Sequence, residues 1–192
     1  MFRLFSKIVV TSAAGVFLAG SSFAQSTGFV EISNQRLLVP TPIDKEIEIV
    51  DGDTIWMGIH QIRLHGIDAV EPKQPCDKEG QSKSYCHLSA SEFLRSFTLQ
   101  DNFRCEIHVR DGERKPWIRY GRYVATCYVG DDDVNEQLVA QGWAYADRYH
   151  GEVYKAAEAS AIENGLGIHG TTDPQKPWEW RKSQREDSCS CE

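Results

Sequence analysis

The chain has little positive charge to spare. Its 21 lysines and arginines are outnumbered by 28 aspartates and glutamates, a formal net charge of −7 over 192 residues. A non-specific coat on nucleic acid draws on basic surface, so any phosphate chemistry here needs a local positive patch. Long apolar runs are lacking beyond the first two dozen residues, which excludes a helical membrane span from the rest of the chain. Internal repeats and low-complexity blocks are lacking too. The cysteine spacings match no zinc finger or ribbon, and His60, His65, His87, His108 and His150 stand singly, as surface or satisfied core residues do.

What is present begins with an address. Arg3 and Lys7 supply a positive start, residues 8–20 are apolar, and Ser22-Phe23-Ala24 offers small residues at the two positions a signal peptidase reads. That run is short and broken by Ser, Thr and Gly, unlike a membrane span. Cleavage after Ala24 is expected, leaving 168 residues with a net charge of −9, enough for one domain with a proper core. The divisions are a leader over 1–24, a lead-in over 25–44, a domain over 45–170 and a polar tail over 171–192. The mature protein is expected in the periplasm or secreted, away from the membrane and monomeric.

All six cysteines follow the leader, and an even count behind a secretory signal reads as disulfides. Fifteen pairings are possible, and local pattern favours two bridges. Cys76 and Cys86 bracket a polar loop, while Cys105 and Cys127 sit in alternating runs that resemble neighbouring antiparallel strands. Each closure is worth about 3 kcal/mol by chain entropy. Cys189 and Cys191 remain unassigned.

The densest chemistry lies in residues 50–71. Ile47, Ile49, Ile55 and Met57 alternate as a strand pair, and Ile62 and Leu64 as the next strand. Asp51-Gly52-Asp53 interrupts that pattern, and Asp68 and Glu71 follow where a strand should end. Carboxylates from separate strand ends suit a hard cation, which takes several oxygen ligands and offsets their repulsion. The competing interpretation is an ordinary Asp-Gly surface hairpin. Arg63 adds a planar donor fork suited to phosphate.

After Cys86 a helix is expected: Ser89-Ala90-Ser91-Glu92 has the form of a capping box, and Leu88, Phe93, Leu94 and Phe97 follow a helical stripe. A strand over 103–109 leads into a basic run, 110–122, where Trp117 and Tyr120 interleave with arginines as stacking surface beside phosphate donors. After the strand at 122–129, Asp131, Asp132 and Asp133 open a short helix that stops at Gly142, and a last helix over 152–164 stops at Gly165. Five strands, one helix before the fourth and two after the fifth, make an α+β chain with a mainly β core.

That order and four motifs resemble the staphylococcal nuclease (thermonuclease) family, in its bacterial secreted branch. The motifs are Val50-Asp51-Gly52-Asp53-Thr54, Arg63-Leu64-His65-Gly66-Ile67-Asp68-Ala69-Val70-Glu71, Arg119-Tyr120-Gly121-Arg122, and the run from Val134 to Gly142. The closing Pro177-Trp178-Glu179-Trp180-Arg181 is similar to a tail in secreted members. The resemblance implies a five-stranded OB-fold barrel with about three helices. It implies a Ca²⁺-dependent nuclease that cuts DNA and RNA to 5′-hydroxyl and 3′-phosphate ends. Asp53, Asp68 and the backbone carbonyl of Ala69 would hold the metal, Glu71 would activate or orient the water, and Arg63 and Arg122 would clamp the phosphate. Tyr120 and Tyr149 fall near positions that touch nucleotide. Two departures stand out: Val70 replaces a proline that here follows as Pro72, and His169 stands where many members have tryptophan.

The reaction asks for those residue types. Attack on a phosphodiester puts negative charge on the phosphorus oxygens, which guanidinium groups and a divalent ion stabilise. Its water needs a carboxylate within reach, and Glu71 remains once two aspartates bind metal. The rival function is a non-catalytic OB-fold module binding nucleic acid or a protein, which needs no such carboxylate. A role in exported polysaccharide handling has no residue in its favour.

Overall fold

Short segments of the lead-in pair as β1 (Glu31–Ser33) and β2 (Arg36–Val39). They belong to a computed structural model that describes residues 31–33, 36–39, 47–76, 86–110, 115–172 and 174–189. The expected leader over 1–24 and Cys191 lie outside the described residues. The period-two pattern that follows forms β3 (Ile47–Asp51), β4 (Thr54–Met57) and β5 (His60–Leu64), a meander with Ile55, Met57, Ile62 and Leu64 buried. Short β6 (Ile67–Ala69) comes next.

Helix α1 (Cys86–Thr98) starts three residues before the Ser89 capping box, so that motif lies inside the helix. Cys86 is bonded to Cys76, and the bridge anchors the helix start. Next come β7 (Phe103–Ile107), β8 (Ile118–Arg119) and β9 (Arg122–Val129). Cys105 faces Cys127 in the β7–β9 register and is bonded to it, so both expected disulfides are present. After β10 (Asp132–Asp133), Asp133 caps α2 (Val134–Ala140) by accepting the Glu136 amide at 3.1 Å. Then follow β11 (Ala144–Ala146), a 3₁₀ turn (Glu152–Tyr154), α3 (Lys155–Glu163) and a second 3₁₀ turn (Gly167–Gly170). The polar end of the chain adds a fourth helix, α4 (Pro177–Cys189).

The main sheet runs β1-β2-β7-β9-β5-β4-β3, with β8 and β10 also on β9, and β6 pairs β11 in a second small sheet. The α+β class with a mainly β core is as expected. Among the described residues the strand pairing runs from β1 to β3 without closing on itself. Every pairing is antiparallel except β5 with β9, which sets Arg63 against Val124. No described helix is long and apolar enough to cross a membrane.

Asn135, fully buried at the start of α2, fastens this parallel seam. Its Oδ1 accepts the Cys127 amide at 3.1 Å, and its Nδ2 donates to the carbonyls of His65 at 2.9 Å and Ala125 at 3.3 Å. The ring of His65 stacks on His108 at 4.1 Å, with Trp117 at 5.5 Å and His150 at 5.7 Å. Burial, then His108 and His150, push the His65 imidazole down to about 4, against a weaker pull from Asp147.

Asn135→Leu fills the space but takes the Asn135 partner from the Cys127 amide and the His65 carbonyl, while the Ala125 carbonyl keeps the His65 amide at 2.7 Å; a loss of about 2–4 kcal/mol is expected in urea unfolding. His65 prefers to stay neutral when folded, so the unfolded chain binds more protons between its ordinary 6.5 and about 4. Its contribution to stability should therefore fall as pH drops through that window and be flat above it. Melting His65→Asn beside the parent at pH 7 and pH 4.5 checks this: the variant should lose less stability on acidification.

Candidate active site

Glycine sets the first wall of the site. A side chain at Gly52 would lie 2.7 Å from the Ala69 Cβ and 2.9 Å from that of Ala90, so the Asp51-Gly52-Asp53 turn packs tightly between β6 and α1. Asp51 Oδ1 accepts the Asp53 amide at 3.0 Å, which turns the buried Asp53 carboxylate inward. Asp53 Oδ2 accepts the Ala69 amide at 2.7 Å, and Oδ1 accepts the Thr54 hydroxyl at 3.1 Å and pairs with Arg63. Arg63 lies opposite Thr54 in the β4–β5 register, and its Nη2 donates to Asp68 Oδ1 and to the Ile67 carbonyl, both at 3.1 Å. Arg122, the first residue of β9, donates to Thr54 Oγ1 at 3.3 Å. The β3–β4 turn and strands β5 and β9 thus bring Asp53, Arg63 and Arg122 together, and β6 adds Asp68.

Glu71 follows on a tight turn. Gln74 Oε1 accepts the Glu71 amide at 3.2 Å, and the Glu71 carbonyl accepts the Gln74 amide at 3.0 Å. Gln74 is buried, and its Nε2 donates to the Gln175 carbonyl at 2.5 Å. Val70, where the family usually has proline, is buried with Cys76, Cys86, Tyr145 and Ile168. Packing, a bridge and Gln74 therefore hold the loop in which the proline is displaced. His169 fills its corner edge-on to Tyr145 at 5.1 Å, and burial lowers its pKa.

Arg181 comes from α4, more than a hundred residues away in sequence. Its Nη1 and Nη2 reach Asp68 Oδ1 and Oδ2 at 3.1 and 2.6 Å, and Nη1 also pairs with Glu71 Oε1. Burial alone would lower the Arg181 pKa; hydrogen bonding to Asp68, then to Glu71, reverses the shift and raises it. Burial opposes the charge on Arg63 and lowers its pKa, with Asp68 and Asp51 resisting. Burial raises the Asp51 carboxyl above the ordinary aspartate value, against Arg63.

These groups line a cavity of about 390 Å³ whose wall includes Asp53, Arg63, Asp68, Glu71, Arg122 and Arg181. Three carboxylates on one wall are the oxygen-only donors a hard cation takes. As placed, however, guanidinium groups occupy them, and no three His, Cys, Asp or Glu side chains among the described residues converge on one ion position. The donor chemistry fits Ca²⁺, provided that Arg181 yields.

Tyr120 stands at the rim. It and Gly121 form the two-residue β8–β9 turn with φ of 52° and 77°, the left-handed pair that a type I′ hairpin needs. Tyrosine is unusual there, and the turn leaves its ring 83% exposed beside Arg119. Tyr149 lies outside the cavity wall, its ring against the Arg148 guanidinium at 4.7 Å. Thr54, Gln74 and Arg181 were not singled out for the site from sequence. Thr54 and Arg181 each close a quoted motif, Val50-Asp51-Gly52-Asp53-Thr54 and Pro177-Trp178-Glu179-Trp180-Arg181, whereas Gln74 carries no such signal.

Residues 61–169 match the family described as staphylococcal nuclease homologue. The chain is 29% identical to the micrococcal nuclease of Shigella flexneri over 72% of this chain and 80% of that protein. It is 27% identical to an uncharacterized endonuclease of Haemophilus influenzae, over 72% of each. It is also 34% identical to the succinoglycan biosynthesis protein ExoI of Rhizobium meliloti, over 66% of this chain but only 64% of that protein's length. With a family match across more than half its length, an α+β core and nuclease-named relatives, the chain belongs to the staphylococcal nuclease family.

Proposed function

We propose that this protein is an exported, Ca²⁺-dependent nuclease that hydrolyses DNA and RNA to 5′-hydroxyl and 3′-phosphate ends. The carrying observation is the shared cavity wall of Arg63, Glu71 and Arg122 with Asp53 and Asp68. A module that only binds needs no carboxylate beside paired arginines. Export rests on the leader pattern of residues 1–24 and the paired cysteines.

Asp53, Asp68 and the Ala69 carbonyl are the groups that would hold the ion. Bound there, Ca²⁺ would supply electrophilic stabilisation of the phosphoryl oxygens. Arg63 and Arg122 aim donors at the non-bridging oxygens and meet the charge that grows as water attacks. Glu71 takes or orients the proton of the attacking water. The new bond joins water oxygen to phosphorus, and the bond to the 5′ oxygen breaks. That oxygen takes up a proton and leaves as the 5′-hydroxyl, while the phosphate stays on the 3′ side. Tyr120, exposed at the rim, offers a stacking face for a base.

Ca²⁺ should support cleavage of single-stranded DNA and of RNA, and excess chelator should abolish it; full activity in chelator would remove the metal assignment. Glu71→Gln keeps size and hydrogen-bonding reach but cannot take a proton. Cleavage should slow at least about 10²-fold while nucleotide affinity persists. The melting temperature should move little, because the lost Arg181 pair is partly exposed. Undiminished cleavage by the folded variant would end this mechanism, and no cleavage by the parent would favour a binding module.

A further inference from the structure

Arg181 is the one cation in the carboxylate cluster that the reaction above does not use. Asp53, Asp68 and Glu71 bring three negative charges to one wall, and Arg63 and Arg181 answer with two positive ones. Arg63 is built into β5 and also grips the Ile67 carbonyl, so it is a fixed part of the wall. Arg181 is different. Its side chain remains 37% exposed, and among the described residues its hydrogen bonds to the wall go to the two carboxylates alone.

The attachment of α4 does not depend on that side chain. Tyr145 donates its hydroxyl to the Pro174 carbonyl at 2.9 Å, and Gln74 holds the Gln175 carbonyl. Trp178 lies edge-on to Tyr145 at 6.0 Å, with Lys176 and Arg148 over its ring at 5.5 and 5.9 Å. The first turn of α4 is therefore fixed beside the loop that carries Glu71, and Arg181 extends from that support. Its long side chain can turn out to water while the helix stays docked.

Charge and valence then point to an exchange. Ca²⁺ needs Asp68 oxygens, and both already accept hydrogen bonds from Arg181. Asp68 Oδ1 accepts from both Arg63 and Arg181, and Oδ2 accepts from Arg181, so an ion on these oxygens meets occupied acceptor sites and the repulsion of the Arg181 guanidinium at close range. Replacing one positive charge by two also brings the three carboxylates and Arg63 to neutrality.

We propose that Arg181 is the resident cation of this cluster and that Ca²⁺ binds by displacing it, so that α4 sets the calcium concentration at which the site fills. This rests on the Ca²⁺ reading above. In the ion-free protein Arg181 relieves the repulsion among the carboxylates and closes the cavity toward small hard cations. The cost of breaking its charge-assisted bonds is subtracted from the affinity for the ion.

Calorimetric titration of CaCl₂ into the full mature chain, without nucleotide, tests this apart from activity. Arg181→Gln should bind Ca²⁺ more tightly than the parent, on the order of tenfold. Arg181→Lys keeps the charge but loses the planar bridge between Asp68 and Glu71, and should fall between them. Lys182→Gln removes the same charge from the same helix at a side chain 70% exposed and paired with Glu186. It should leave the affinity unchanged, separating direct exchange from a long-range field. A melt checks folding, and if Arg181→Gln does not fold, the Lys comparison decides alone. Equal or weaker Ca²⁺ binding by the folded Arg181 variants would overturn the exchange and leave the Ca²⁺ reading standing. An absence of Ca²⁺ binding by parent and variants alike would overturn both.

Discussion

The buried carboxylate of Asp53 is the point on which the site and the sheet both depend. One oxygen is spent on the backbone, accepting the Ala69 amide at 2.7 Å and so tying the β3–β4 turn to β6. The other faces Arg63 and the Thr54 hydroxyl. A buried carboxylate without such donors would be driven toward its neutral form or would destabilise the fold. The partners that make Asp53 tolerable are thus the chemistry-bearing groups themselves. Position and reactivity are set by one network, and removing its centre would leave Arg63 a buried guanidinium with one carboxylate partner fewer.

The same logic extends outward. Arg122 reaches Thr54, Thr54 reaches Asp53, and Arg63 bridges Asp53 and Asp68. An acidic protein can in this way present a positive edge to a phosphate. The net charge of −7 describes the molecule as a whole, whereas a phosphate in the cavity meets Arg63 and Arg122 at close range, where local partners outweigh distant screened charge.

Much of this was legible in the sequence because it is local or periodic. Alternation marked β3, β4, β5, β7 and β9; facing cysteines marked the β7–β9 pair; and turns placed Asp53 and Glu71 near strand ends. What could not be read was the effect of distant neighbours. Gln74 is an ordinary loop glutamine until burial and the Gln175 carbonyl give it a partner on each side. Asn135 reads as a routine helix-start residue, yet it pairs with the Cys127 amide and Ala125 carbonyl of β9 and with the His65 carbonyl just past β5. The Ser89 capping motif lies inside α1 because such a motif states a preference, whereas the bridge at Cys86 imposes a position. The fourth helix was passed over because its composition is polar; its apolar contacts centre on Trp178, and its strongest charge contact reaches a cluster 110 residues upstream. The barrel expectation came from resemblance, and strand pairing alone gives an open path.

The parallel seam between β5 and β9 has a consequence for the order in which a growing chain becomes competent. Antiparallel neighbours in the β3–β4–β5 meander can pair as soon as their turns are made. Arg63 has to wait for Val124, some sixty residues later, before its strand gains its second neighbour and Arg122 arrives beside Thr54. Asn135, which fastens that seam, follows later still. A nascent chain halted between Glu71 and β9 holds Asp53, Asp68 and Glu71 but lacks Arg122, half of the proposed phosphate clamp. Synthesis and cutting power are separated in time by topology alone.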